Sequence, residues 1–207
     1  MAETNNTPRF IVIDGPDGAG KSTQVGMLMD IFKAAGIPAI TTVDPGGTSI
    51  GERLRDILLG NVAPEICPLC ETLLFTASRA QLVDEIVSPA LASGKIVICD
   101  RFISATIAYQ GALGMETDRI IELADFSTCG TWPDMTIVLD IPPEKGMERK
   151  GETPDRMESR TVEYHREVRR IYLELEKIYP APVRIVNAEG TRDEVHESIL
   201  EILGLQT

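Results

Sequence analysis

The sequence predicts an α/β fold, a doubly wound five-stranded parallel sheet flanked by helices in one domain. Three observations lead there. Five short runs rich in Ile and Val alternate with longer stretches of helical periodicity. Most of those runs show little polar alternation, as in parallel strands covered on both faces. The first run leads directly into Gly15-Pro16-Asp17-Gly18-Ala19-Gly20-Lys21-Ser22, which fits G-x-x-x-x-G-K-[ST] at every fixed position.

In chain order, the polar stretch Met1 to Pro8 reads as a short disordered tail, and the domain spans residues 9–207. Phe10–Asp14 is the first strand. Ser22 to Ala35 is helical, with Val25, Leu28, Met29 and Phe32 on one face. Ala39–Val43 is the second strand, after which Thr48 caps a helix running to about Leu59 and ended by Gly60. A long helix from near Cys67 to Ser93 is closed by Gly94, and Pro89 should kink or split it. Ile96–Asp100 is the third strand. Thr117 caps a helix through Thr128, and Met135–Asp140 is the fourth strand. Pro142 and Pro143 open a short helix. Met157 to Tyr179 is a long charged helix halted by Pro180. Val183–Asn187 is the last strand, and Thr191-Arg192-Asp193-Glu194 is a capping box for the final helix.

Composition narrows the function classes. With 207 residues, 43% hydrophobic and 25% charged, the chain has the make-up of a soluble globular domain. A formal net charge of −12 disfavours nucleic acid as a partner, because polyanions need a basic surface. No apolar run reaches the ~20 residues of a membrane span, and the N-terminus lacks the layout of a signal peptide. A cytoplasmic location is the default expectation. Cys67-Pro68-Leu69-Cys70 has metal-ligand spacing, but the sequence holds no second such pair, and His165 and His196 lie far along the chain. We read that pair as helix packing and Cys99 as a small buried hydrophobe.

In such a sheet, functional residues follow the carboxyl ends of the strands. After the first strand, the backbone N–H groups of Gly15 to Ser22, with Thr23 following, would cradle phosphates at a helix N-terminus. Lys21 would reach the outer phosphates and the Ser22 hydroxyl would ligate Mg²⁺. Asp17 inside the loop would meet Mg²⁺ or a hydroxyl of a second substrate, or else simply form the turn before Gly18. Asp44-Pro45-Gly46-Gly47-Thr48 would admit a ligand close to its backbone, or serve as an ordinary strand-to-helix turn. Asp100-Arg101 would place a magnesium-linked carboxylate and a phosphate fork beside the loop, or form a surface ion pair. The basic run Arg149 to Arg156, with Arg160 beyond it, would be a lid over transferring phosphates or a solvated loop.

Taken together, these elements resemble the thymidylate kinases, which move the γ-phosphate of ATP to dTMP. The resemblance spans nearly the whole chain after the tail. It rests on the phosphate loop with Asp17, Pro45-Gly46-Gly47-Thr48, Leu74-Phe75 with Arg79 and Gln81, Asp100-Arg101, Thr106, Tyr109-Gln110-Gly111 and Asp155-Arg156. It implies a P-loop kinase fold with a short lid at about 149–156, ATP and dTMP as substrates, Mg²⁺ as cofactor, and a homodimer. Lys21, Asp100 and Arg101 would carry the transfer, Arg101 bridging donor and acceptor phosphates and Asp100 organising Mg²⁺ with Ser22. Phe75 would stack on the thymine, with Arg79 and Thr106 at its edge. Asp17 would lie near the 3′-hydroxyl and Tyr109 under the sugar, and Asp44, Pro45 and Gln110 would also line the acceptor. Asn187 and Ala188 would lie near the adenine. Gly18 stands where some members carry a basic residue, which makes Arg149, Lys150 and Arg156 the candidate lid cations. Many bacterial relatives have Arg-Glu where this chain has Val43-Asp44, and often Ser at Ala105; both differences bear on the acceptor. The rivals are a kinase for another nucleotide or nucleoside, a nucleotide-binding protein that does not turn over and, last because the sequence holds no N/T-K-x-D guanine motif, a phosphate-loop GTPase.

Overall fold

A computed structural model describes residues 9–60, 65–149 and 155–205. The expected tail over residues 1–8, and Lys150 within the expected lid, lie outside the described residues. Five strands, β1 (Phe10–Asp14), β2 (Ala39–Val43), β3 (Ile96–Asp100), β4 (Met135–Asp140) and β5 (Val183–Asn187), form one parallel sheet in the order β2-β3-β1-β4-β5. All five carry the bounds read from the sequence. The helices are α1 (Lys21–Ala34), α2 (Ser49–Leu59), α3 (Pro68–Leu82), α4 (Ser88–Ala92), α5 (Ile103–Gly111), α6 (Thr117–Ser127), α7 (Pro143–Arg149), α8 (Val162–Ile178) and α9 (Arg192–Leu203).

The apolar runs are continuous because each strand feeds two cores. In β1, Phe10 and Val12 join Val97, Cys99 and Val138 in one core, which α3, α5 and α8 complete with Leu82, Ile107 and Tyr172. Ile11 and Ile13 point the other way, to Ile98, Ile137 and Leu139, under Leu28 and Phe32 of α1 and Ile199 of α9. All five residues of β1 are buried, and the strand pairs on both sides. At roughly 1.5–3 kcal/mol per buried large side chain, it is a rigid base for the loop that follows. The edge strand β2 is only half-buried, which admits Thr41 and Thr42. The crossovers from β1 and β3 run in opposite directions, so a crevice opens at the carboxyl ends of β1 and β3.

Three helical expectations need correction, and one helix was not expected. The helix expected to kink or split at Pro89 runs on into α4 by widening. Ser88 N–H donates to the carbonyl of Val83, five residues back, over Val83–Val87. That wider turn accommodates a ring that would otherwise meet the carbonyl of Glu85. Glu116, not Thr117, occupies the cap position of α6. The long charged helix starts at Val162, capped by the Thr161 side chain, and Met157–Ser159 form turns before it. Finally, α5 has no counterpart among the expected helices. Seven of its nine residues are buried, so its apolar character has no one-sided period to detect.

Candidate active site

The crevice is a cleft of about 540 Å³ lined by residues of the loops that follow β1, β2 and β3, by helical residues such as Phe75 and Arg149, and by the segment 155–158. The strand-to-helix loop after β1 forms its floor. Gly20 caps α1 in a left-handed conformation (φ 92°), with no side chain bonded over the helix end and no acidic residue in its first turn. The first N–H groups of α1 therefore present positive potential to the cleft. Gly18 (φ 76°) is required by close approach: a Cβ there would lie 2.1 Å from the carbonyl oxygen of Gly146 in α7. The loop thus seats directly against α7, leaving no room at this position for a basic side chain.

Lys21 is buried, and its Nζ donates to the carbonyls of Gly15 (3.1 Å) and Pro16 (2.8 Å). Burial, reinforced by the charge of Arg101, lowers its pKa from 10.5 to about 8. Ser22 Oγ donates to Asp100 Oδ2 at 2.6 Å. The structure therefore brings the loop serine and the β3 carboxylate together, as the sequence suggested. These are hard oxygen donors of the kind Mg²⁺ takes alongside substrate phosphates. Among the described residues no cluster of three or more His, Cys, Asp or Glu side chains could hold a metal by itself.

Arg101 stands between the loop and the far end of the cleft. Its backbone is left-handed (φ 68°), a conformation a β-carbon disfavours, and its N–H is tied to the Ile13 carbonyl at 3.0 Å. The guanidinium pairs with Asp17 Oδ1, donates to the Gly15 carbonyl (3.1 Å) and lies 5.1 Å from the centre of the Tyr109 ring. Tyr109 donates its hydroxyl to Asp17 Oδ2 at 2.7 Å, and burial keeps that phenol protonated far above neutral pH. Asp17, Arg101 and Tyr109 are thus one hydrogen-bonded unit. Beneath them is fully buried Asp14, which accepts from Gly15 N–H (2.8 Å), Tyr172 (2.7 Å) and Ser104.

The far end is built by α3 and α5. Phe75 is half-buried and faces the cleft. Arg79 is buried, donating to Asp44 Oδ2 (2.6 Å) and Thr106 Oγ1 (2.7 Å). Burial outweighs the attraction of Arg79 and raises the Asp44 carboxyl above its usual range. Among the described residues neither Asp44 Oδ1 nor Arg79 Nη1 has a hydrogen-bond partner, although both are buried. Both side chains belong to the wall of the cleft. Pro45 lines the same wall, its carbonyl accepting from Arg55 at 2.6 Å. Gln110 also lines it and donates to Glu71 at 2.9 Å. Val43 and Ala105 face the cleft as well. Gln81 does not take part; it hydrogen-bonds Glu85 along the helix.

At the opposite edge, Arg149 lines the cleft and donates to the carbonyls of Ala188 (2.9 Å) and Glu189 (3.2 Å). Asn187 and Ala188, expected near the adenine, do not themselves line the cleft; Asn187 accepts from Glu189 N–H and Ala188 donates to the Asp140 carbonyl. Arg156 departs from the expectation of a cation over the phosphates. It does not line the cleft; its Nη2 bonds Glu71 at 2.6 Å and its Nε the Leu58 carbonyl at 2.7 Å. A buried carboxylate attracts it more strongly than an open cleft does. Sequence reasoning also missed Arg55, Glu71 and Asp14. Arg55 could have been found only by placing it on the inner face of α2, ten residues after Pro45.

Comparison with known proteins bears on this geometry. A family model described as thymidylate kinase matches residues 13–199. The thymidylate kinase of Pelodictyon phaeoclathratiforme is 42% identical over 207 residues, covering 94% of this chain and 95% of that protein. That of Fervidobacterium nodosum is 42% identical, covering 93% and 97%. That of Cutibacterium acnes is 40% identical, covering 92% and 93%.

Proposed function

The chain belongs to the thymidylate kinase family, and from that premise we propose that its cleft transfers the γ-phosphoryl group of ATP to dTMP, giving ADP and dTDP. The observation that carries this reading is the position of Arg101. It has the phosphate loop on one side and the Phe75–Arg79–Thr106 pocket on the other. Arg79 and Thr106, which line that pocket and bond each other, support a thymine there, since its edge offers carbonyl acceptors and an N–H donor. Phe75 supplies a stacking face.

The ATP phosphates would lie on the N–H groups of Gly15 to Thr23, with Lys21 exchanging the Gly15 and Pro16 carbonyls for phosphate oxygens. Asn187, Ala188 and Arg149 would border the adenine. Ser22 and Asp100 would hold Mg²⁺, which would supply charge neutralisation between the phosphates. Arg101 would release Asp17 to bridge the donor and acceptor phosphates, leaving Asp17 and Tyr109 for the sugar. The acceptor phosphate is already an anion at neutral pH, so the reaction needs alignment and charge stabilisation rather than a general base. Arg55, which lines the cleft together with Val43, would support acceptor-phosphate binding.

We further propose a homodimer, supported by Leu69 and Leu73 exposed on α3 and Phe126 on α6. A cytoplasmic location fits the reaction; among the described residues no helix is long and apolar enough to cross a membrane. The test is ADP release with ATP, Mg²⁺ and, in turn, dTMP, dUMP, dCMP, UMP and thymidine. Strong preference for dTMP is the expected result. Preference for another acceptor would overturn the dTMP assignment and implicate Val43 and Ala105, and no turnover with any would overturn the kinase reading.

A further inference from the structure

Glu71 lies on the first turn of α3, four residues before Phe75 and eight before Arg79, so all three share one face of the helix. Its side chain is fully buried. Carboxylates are rarely buried unless paired, and this one gathers three partners from two parts of the chain. Oε2 accepts from Arg156 (2.6 Å) and Arg160 (3.0 Å), and Oε1 from Gln110 of α5 (2.9 Å). Both arginines belong to the segment 155–160, whose Asp155, Met157 and Glu158 form a wall of the cleft beside Phe75. Arg156 also holds the Leu58 carbonyl at the end of α2. The guanidinium of Arg160 stacks over Tyr164, 4.8 Å from the ring centre, and Tyr164 donates to the Tyr109 carbonyl at 2.9 Å. A continuous set of contacts therefore runs from Glu71 to the residue that faces the sugar subsite.

We propose that Glu71 is a positioning residue for the acceptor nucleotide: its carboxylate seats Arg156 and Arg160, and through them the wall 155–160 and Tyr109, against the base-holding face of α3. This rests on the reading of the cleft given above. Glu71 hydrogen-bonds Gln110, Arg156 and Arg160 rather than the phosphate loop or Asp100. Its loss should therefore register on the acceptor and leave ATP largely unaffected.

The experiment compares wild type, Glu71→Gln, Arg160→Met and the double variant. It measures KM for dTMP, KM for ATP, kcat and the melting temperature. Wild type is assayed first, and failure there to phosphorylate dTMP overturns the functional reading itself. With wild type active, Glu71→Gln should raise KM for dTMP about tenfold or more while KM for ATP stays within about twofold. The double variant should lose little beyond Glu71→Gln alone, because the two residues act through one contact. A lower melting temperature with both KM values unchanged would overturn the proposal, leaving Glu71 as a core ion pair. Equal rises in both KM values would overturn it too. If Glu71→Gln does not fold, Arg160→Met decides. That side chain is 23% exposed, and it should raise KM for dTMP about threefold. An unchanged value there overturns the proposal.

Discussion

Lys21 is held in the protein as a buried ammonium, and that charge should destabilise the fold it serves. The drop from 10.5 to about 8, at about 1.4 kcal/mol per pH unit, amounts to about 3 kcal/mol. The sign follows from proton counting. The folded-state pKa lies below the unfolded one, so between pH 8 and 10.5 the unfolded chain binds more protons and stability rises with pH. Below pH 8 both states are protonated and the whole cost is present. Lys21→Met removes that cost and also loses two charge-assisted bonds, to Gly15 and Pro16, worth roughly 1.5 kcal/mol each. The two effects nearly offset, so the variant should stay within about 1 kcal/mol of wild type at pH 7, with turnover nearly abolished. At pH 10 wild type has already shed most of the cost, so the stability of the variant relative to wild type should fall by about 2 kcal/mol between the two pH values. Urea unfolding followed by circular dichroism at both pH values, at one fixed protein concentration, measures this directly. A difference between variant and wild type that is the same at pH 7 and pH 10, or that favours the variant more at pH 10, would refute the reasoning.

Arg101→Ala should lower kcat roughly tenfold or more by removing transition-state charge stabilisation; steady-state turnover unchanged in that variant would end the assigned role. Phe75→Ala should mainly raise KM for dTMP, and an effect confined to KM for ATP would place Phe75 in the wrong subsite. Gly18→Ala puts a β-carbon 2.1 Å from the Gly146 carbonyl at φ 76°. It should cost about 2 kcal/mol and lower the melting temperature by about 4–8 °C, and an unchanged melting temperature would mean that α7 moves aside freely.

The legible parts of this chain are those whose signal is local. Strands buried on both faces appear as Ile and Val runs, and the phosphate loop has glycines fixed by backbone approach, so both could be located to the residue. Asp100 and Arg101 were legible because they end a strand. The helix α5 was not, since a helix apolar on all sides has no moment to detect. Nor was Glu71 legible as a site residue, because an acid on the first turn of a helix ordinarily reads as a favourable partner of the helix dipole. Its partners lie 39, 85 and 89 residues away, and only the fold reveals them. Arg156 has a partner that was illegible for the same reason. Its charge suggested phosphate, but the choice between phosphate and a buried carboxylate depends on tertiary distance.

The way the cleft holds its cations bears on how an acidic chain can bind polyanions. The chain carries a net charge of −12, so an approaching nucleotide is repelled at long range, and only within roughly a Debye length, ~8 Å at physiological salt, do local cations dominate. Those cations have protein partners: Arg79 pairs with Asp44, Arg101 with Asp17, and Lys21 with two carbonyls. A phosphate that takes Arg101 exchanges one anionic partner for another, which avoids most of the desolvation that a hydrated guanidinium would require. The exchange also needs little backbone motion, because Arg101 is already fixed in its left-handed conformation by the bond to Ile13. A weakly charged ligand gains little by displacing Asp17, whereas one that presents several phosphate oxygens to Arg101, Lys21 and the N–H groups of α1 gains at every point. Discrimination in favour of polyphosphate thus follows from the carboxylates that occupy the cations as much as from the cations themselves.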